Sequence, residues 1–366
     1  MQLKKNNSNT SNKASSGIAH RNAIGVEISQ TAIKMVQLTG RSLNQIQLEK
    51  YVITKLPKNI IQGGKIQDYE QIVSYLQHSY AQLKTNSRNI VASIPQNLTT
   101  VETLVYNEKT SELGLDDFVE LEISQIAPVE EMNYDYQVVG ASISPPGQQI
   151  LLAAAKKDDI EPRIEVFESA GIPPIYMDVD LFARSNAFSF WINHHAPELT
   201  DEKIAVIDSG ELQTRALVLE SGRILYKQET PVGGEQLGQL IQRTYQINEE
   251  KAENIKCHHN KRPEDYQSLI ADRFNVQIAQ EIQRVLQFYY TTQSNEQFSG
   301  VKHIFLTGGV ASQPGLAETV FSQTNTATQC INPITYASNS SKVDLSQLQQ
   351  DASALTVAFG LALRGL

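Results

Sequence analysis

Val206-Ile207-Asp208-Ser209-Gly210 is the segment from which the architecture can be worked out. It ends an apolar run that begins at Ile204, and a short unbroken run of this kind reads as a strand buried on both faces. Asp208-Ser209-Gly210-Glu211 turns the chain, and Ala216-Leu217-Val218-Leu219 carries it back. The same plan stands near the start. Ala23-Ile24-Gly25-Val26-Glu27-Ile28 is followed by Ser29-Gln30-Thr31 and then by Ala32-Ile33-Lys34-Met35-Val36-Gln37-Leu38. A third strand-then-turn signal is Phe305-Leu306-Thr307-Gly308-Gly309. The repetition points to one α/β unit used twice, once in each half.

Phosphate chemistry suits this pattern. A tight turn after a strand aims several backbone N–H groups at one spot, and glycines leave no side chain in the way. An acid at the strand end, Glu27 or Asp208, can hold Mg²⁺ through water. Lys34 has two readings, a phosphate-neutralising cation or a solvated strand lysine. Competing motifs are missing: the chain has no G-x-G-x-x-G, no G-x-x-x-x-G-K-[ST] and no G-x-S-x-G.

Outward from these turns the chain reads as follows. Met1–Arg21 is almost devoid of apolar residues and reads as a disordered tail rather than a secretory signal. Asp68–Leu83 has helical apolar spacing, and Asn89–Pro95 reads as a strand. Residues 86–175 read as a unit of their own. It holds a helix at Asp116–Ile126, strands at Tyr134–Gly140 and Gln149–Ala155 joined by Ser144-Pro145-Pro146-Gly147, and a helix at Asp158–Ala170. Asp158 with Glu161 resembles a capping box, and Gly171 closes that helix. Val232-Gly233-Gly234 leads into a helix over Glu235–Tyr245, further helices fill 249–293, and the last helix is placed at Ala352–Arg364.

The totals exclude several classes. At 366 residues with 19% charged residues and a net charge of −9, the chain is globular and lacks the basic stripe of a nucleic-acid binder. Cys257 and Cys330 form no CxxC pair, which fits a reducing, cytoplasmic setting. Cys257-His258-His259 reads as an exposed polar loop rather than a metal tract, since adjacent histidines share no helix face. Ile150–Ala155 falls far short of the roughly 18 apolar residues of a membrane span, so attachment to a membrane is expected only through partners.

Taken together, these residues resemble the actin-like ATPase superfamily and, within it, the PilM family of type IV pilus assembly proteins. The resemblance runs from about Ala23 to Arg364. Its opening is Gly25-Val26-Glu27-Ile28-Ser29-Gln30-Thr31-Ala32-Ile33-Lys34; its clearest stretches are Leu306-Thr307-Gly308-Gly309-Val310-Ala311-Ser312-Gln313-Pro314-Gly315-Leu316 and Phe359-Gly360-Leu361-Ala362-Leu363-Arg364. Gln125-Ile126-Ala127-Pro128, Met177-Asp178-Val179-Asp180, Val232-Gly233-Gly234-Glu235 and Ala252-Glu253-Asn254-Ile255-Lys256 also match.

The resemblance implies an α/β, actin-like (ribonuclease H-like) two-lobed fold with an inserted FtsA-like subdomain. The first lobe would be 22–85 plus 176–200, the insert 86–175, and the second lobe 201–366 with a helical part near 236–300. ATP or ADP with Mg²⁺ would lie between the lobes. Contacts would come from Glu27, Ser29, Gln30, Lys34, Asp208, Gly210, Gly233, Gly234, Thr307, Gly308 and Gly309, with Glu253 and Lys256 at the ribose or base. The partner would be the N-terminal cytoplasmic segment of PilN, in a groove between the first lobe and the insert. Pilus platform proteins and motor ATPases would lie beyond it, with self-association left open.

Departures from the pattern bear on turnover. Glu27 stands where the family usually has Asp, Ser29 where glycine is usual, and Glu211 where small or hydroxyl residues are usual. Glu211 near a γ-phosphate would repel it by several kcal/mol, roughly, at ~4 Å and an effective dielectric near ~20. ATP binding with weak or no hydrolysis is therefore expected. Asp180 matches a water-orienting acid but equally suits a helix N-cap, and Arg284 suits a groove or an exposed helix face. The leading reading is a nucleotide-binding scaffold; an active ATPase, a small-molecule kinase or a filament former are the alternatives.

Overall fold

Residues 21–43, 45–143, 145–292 and 300–366 are described by the computed structural model, which divides into two compact units. The tail expected at 1–21, Ser144 of the predicted turn and the helix end at 293 fall, but for Arg21, outside the described residues. The first unit takes the described part of Met1–Asn186 with Ala337–Val343 and Val357–Leu366; the second takes Ala187–Tyr336 with Asp344–Thr356.

In the first unit, β1 (Arg21–Ile28) and β2 (Ala32–Gly40) form the expected hairpin around Ser29-Gln30-Thr31. Antiparallel β3 (Ile46–Lys55) follows, then the short hairpin β4 (Ile61–Gln62) and β5 (Lys65–Ile66). Asp68 starts α1 (Tyr69–Leu83) by accepting the Gln71 N–H at 3.0 Å, and β6 (Ile90–Ile94) then pairs parallel to β1. The chain next makes a separate three-stranded sheet: β7 (Thr99–Tyr106), α2 (Leu115–Ser124), β8 (Met132–Ile143) and β9 (Pro146–Lys156), in the order β7-β9-β8. It returns through α3 (Lys157–Ser169) to β10 (Tyr176–Val179), parallel to β6, and enters α4 (Asp180–His195).

Strand alternation explains the layering. Ile24, Val26 and Ile28 of β1 and Ile90, Ala92 and Ile94 of β6 share a core with Ile72 and Leu76 of α1 and with Ile160, Val166 and Phe167 of α3. On the opposite face Val91 packs with Ala183 at the start of α4. A strand buried on both sides is expected to be mostly apolar, and in β6 Ser93 alone is polar, its Oγ accepting the Ile28 N–H at 3.4 Å.

The second unit repeats the plan. β11 (Ile204–Ser209), β12 (Thr214–Glu220) and β13 (Arg223–Thr230) are antiparallel neighbours. Helices α5 (Gly234–Tyr245), α6 (Glu249–Cys257) and α7 (Asp272–Thr291) follow, then β14 (His303–Thr307), α8 (Leu316–Thr324) and β15 (Ala327–Cys330). The order is β13-β12-β11-β14-β15, with β14 parallel to β11 and β15 to β14. The first sheet reads β3-β2-β1-β6-β10 with the same directions, so the two units share one topology. Even the register repeats: Glu27 pairs with Lys34 across its hairpin, and Asp208 with Arg215.

The last segments differ from the sequence expectation. β16 (Ser338–Asn339) adds parallel to the edge of β3. After α9 (Leu345–Asp351), α10 (Thr356–Gly365) places Val357 and Leu361 against Val91 and Ala183, so its body belongs to the first unit rather than to the second. The separate sheet begins at Thr99, not near 86, because β6 is needed in the first core; α3 joins that core as well. Lys156, not Asp158, occupies the N-cap of α3, with no side-chain cap. Asp159, one residue on, instead pairs with Lys65 at 2.7 Å.

Candidate functional site

The second unit brings most of the expected contacts together at the carboxyl ends of β11 and β14. These strands run parallel with Asp208 beside Thr307, so the two turns that follow them emerge side by side. Gly308 has φ 88°, and a Cβ there would stand 2.3 Å from the Ser209 carbonyl oxygen and 2.6 Å from Asp208 Oδ1. Only glycine satisfies both the backbone angle and that approach. A Cβ on Gly309, in contrast, would meet nothing within 4 Å. Thr307 is buried, its hydroxyl 3.1 Å from that of Thr356.

The start of α5 packs onto the turn after β11. The Gly234 N–H donates to the Gly210 carbonyl at 2.9 Å and the Glu235 N–H to the Glu211 carbonyl at 2.8 Å. The Gly233 N–H donates to Gln236 Oε1 at 2.8 Å. A Cβ on Gly233 would lie 2.6 Å from the Gly210 oxygen, so glycine here serves the close approach of two backbones. Three of the N–H groups that a helix start would offer an anion are thus engaged within the chain.

Glu211 fills the space beside them. Its Oε2 lies 2.5 Å from where a Gly234 Cβ would be, and both its oxygens accept from Lys256 Nζ, at 2.7 and 2.8 Å. Glu253, one helical turn before Lys256 on α6, adds a third charged contact at 2.6 Å. The lysine side chain is 10% exposed. Burial pulls its pKa down, but the two carboxylates outweigh that and hold it above the ordinary lysine value. The sequence placed Glu211 against a ligand phosphate; the structure places it on Lys256. The separation of 45 residues between the two leaves no local signal of that pair.

In the first unit the charges are spent locally. Lys34 pairs with Glu27, 3.2 Å from Oε2, as their register across the hairpin dictates. Ser29 closes its own turn: its Oγ accepts the Ala32 N–H at 3.1 Å and donates to the Ala32 carbonyl at 2.9 Å. Gln30 sits half-buried in that turn. Asp180 opens α4 and is buried; its Oδ1 accepts the Gln96 N–H at 3.0 Å and Arg184 Nη2 at 2.9 Å. Arg184 lies four residues on, a spacing that the sequence did carry. Asp180 thus holds the Gln96 turn and a buried arginine, which is work for a structural acid. Arg284 pairs with Glu281 on an exposed face of α7.

As a nucleotide site the second-unit cluster fits on one side only. Gly309 leaves room for a flat group, whereas Glu211 fills the bare start of α5 and neutralises Lys256, and the Gly233, Gly234 and Glu235 N–H groups are engaged within the chain. Among the described residues no three His, Cys, Asp or Glu side chains converge as a metal site.

Comparison with known proteins gives a consistent result. A family model described as type IV pilus assembly protein PilM matches residues 25–366. Among solved structures, a PilM–PilN type IV pilus biogenesis complex is similar at TM-score 0.75 and 22% identity, over 94% of this chain and 98% of that one. The ethanolamine utilization protein EutJ from Carboxydothermus hydrogenoformans is similar at TM-score 0.57 and 13% identity, over 94% and 89%. The fold is the α/β, actin-like fold that the sequence implied.

Proposed function

The chain belongs to the type IV pilus assembly protein PilM family, and on that footing we propose that it is a scaffold of the pilus assembly platform that binds the N-terminal cytoplasmic segment of PilN. The observation that carries this is the likeness, over nearly the whole of both chains, to a PilM solved in complex with PilN. Within the first unit, the three-stranded sheet and α2 supply a surface for a peptide: Leu121, Ile126, Val138 and Val139 are exposed apolar side chains there. Among the described residues no helix is long and apolar enough to cross a membrane, so attachment to the inner membrane would run through PilN.

The second-unit cluster would bind ATP or ADP with Mg²⁺. Gly308 and Gly309 would take the base, Glu253 and Lys256 the ribose, and Asp208 the hydrated metal ion, with Gly210, Gly233 and Gly234 lining the turn. The value of a nucleotide to a scaffold lies in differential binding: it alters partner affinity only if it prefers one state of the protein.

The test is isothermal titration of the full chain with a peptide copied from the start of its cognate PilN, with and without Mg-ATP. Saturable peptide binding is expected, with an affinity that changes when nucleotide is present. A peptide that does not bind would refute the scaffold reading; peptide binding indifferent to saturating nucleotide would remove the coupling and leave the scaffold.

A further inference from the structure

Resting on the nucleotide reading above, we infer that Glu211 is a built-in competitor of the ligand: its carboxylate occupies Lys256, and a nucleotide must displace it to bind.

The carboxylate sits where it does without being needed for the fold. The start of α5 is held by the backbone carbonyls of Gly210 and Glu211, not by the Glu211 side chain. Lys256 has two further partners besides Glu211, Glu253 at 2.6 Å and the Gly234 carbonyl at 3.5 Å. Gly234 has no Cβ, and one would collide with Glu211 Oε2 at 2.5 Å, so the bare helix start is the space into which the carboxylate folds. Glu211 is 34% exposed at the side chain while Lys256 is 10% exposed. The acid therefore approaches from the solvent side, and it can swing away without opening the core.

Charge gives the direction of the effect. Glu211 and Glu253 together place two negative charges on one ammonium. An incoming phosphate or ribose oxygen finds Lys256 neutralised and a surplus carboxylate beside it, at a distance where like charges repel by kcal/mol amounts. With Glu211 displaced, Lys256 and Glu253 balance, and the freed ammonium protons can be donated to ligand oxygens at ordinary charge-assisted distances. Apparent affinity is the intrinsic affinity multiplied by the fraction of molecules in which the pair is open. The pair thus acts as a threshold, and it lets a nucleotide in only by exchange of one oxygen for another on the same lysine.

The test titrates the full chain with Mg-ATP and Mg-ADP, comparing the natural protein with Glu211→Gln, Glu211→Ser and, as a control, Glu281→Gln, which removes a solvent-facing ion pair on α7. Melting curves on all four show that they are folded; two different replacements guard against one that misfolds. The expected result is about tenfold tighter nucleotide binding in both Glu211 variants, equivalent to ~1.4 kcal/mol, and no change in the control. Equal affinity in the natural protein and both folded Glu211 variants would overturn the inference and leave nucleotide binding standing. Weaker binding in the variants would also overturn it, making Glu211 a ligand contact. No binding by any of the four would remove the nucleotide reading and this inference with it.

Discussion

Replacing Gly360 with alanine should destabilise the first unit, although it puts a better helix former in the middle of α10. Intrinsic propensity favours alanine by about 1 kcal/mol at such a position. The structure opposes it. A Cβ on Gly360 would stand 1.8 Å from the Ala183 carbonyl oxygen and 2.5 Å from its carbon, both backbone atoms of α4. An ordinary C···O approach is about 3.3 Å, so the two helices would have to separate by about 1.5 Å. Neither side is the end of a flexible side chain, so the strain cannot be relieved by a rotamer change. Gaps of even half that size forfeit roughly a quarter to a half of the dispersion well. Val357 and Leu361, buried against Val91 and Ala183, would bear that loss. At about 2 kcal/mol for burying each of these side chains, the lost packing comes to roughly 1–2 kcal/mol. Overpacking strain adds about 1–3 kcal/mol. Net of the propensity gain, the expected destabilisation is about 1–4 kcal/mol. Urea unfolding followed by far-ultraviolet circular dichroism measures the whole chain, while the only tryptophan, Trp191, reports on the second unit. The dichroism midpoint should fall in Gly360→Ala with a smaller change in fluorescence. Gly309→Ala, whose Cβ would meet nothing within 4 Å, should be neutral. A Gly360→Ala protein within about 0.5 kcal/mol of the natural one, or an equally damaged Gly309→Ala, would refute the steric argument.

Two further outcomes follow from the buried charges of the first unit. Burial pushes the Asp178 carboxyl up to about 6, against the partial pull of Arg364, whose Nε stands 4.0 Å away. Because the native pKa lies above the unfolded one, this stabilising contribution is fully present below about pH 4 and lost as pH rises through 6. Asp178→Asn should therefore flatten the dependence of melting temperature on pH between 4 and 6; an unchanged profile would show that Asp178 does not titrate there. Asp180→Ala takes from buried Arg184 its carboxylate and from the Gln96 N–H its acceptor, at an expected cost of about 2–4 kcal/mol in urea unfolding. A variant of natural stability would mean that Asp180 is not the structural acid its contacts describe.

What sequence reading reached was local. The hairpin around Ser29-Gln30-Thr31 and its counterpart after Asp208 were legible because an apolar run and a polar turn decide strand and reversal over a few residues. That the same unit appears twice was legible too, since repetition of a local pattern needs no knowledge of packing, and the matching strand orders bear it out. Gly308 was marked as a site residue, but the closeness of the Asp208 and Ser209 atoms that demands glycine there depends on two strands meeting from opposite ends of the unit. β16 was missed because two polar residues become a strand only when the edge of β3 offers them a ladder. The assignment of α10 depended on Gly360 and Gly25 both lacking a Cβ, which matters only once α10, α4 and β1 touch. The Glu211–Lys256 pair is the sharpest case. Periodicity and turn chemistry act over a few residues, while a side-chain ion pair across 45 residues is set by where the turn after β11 and helix α6 are held by the core beneath them.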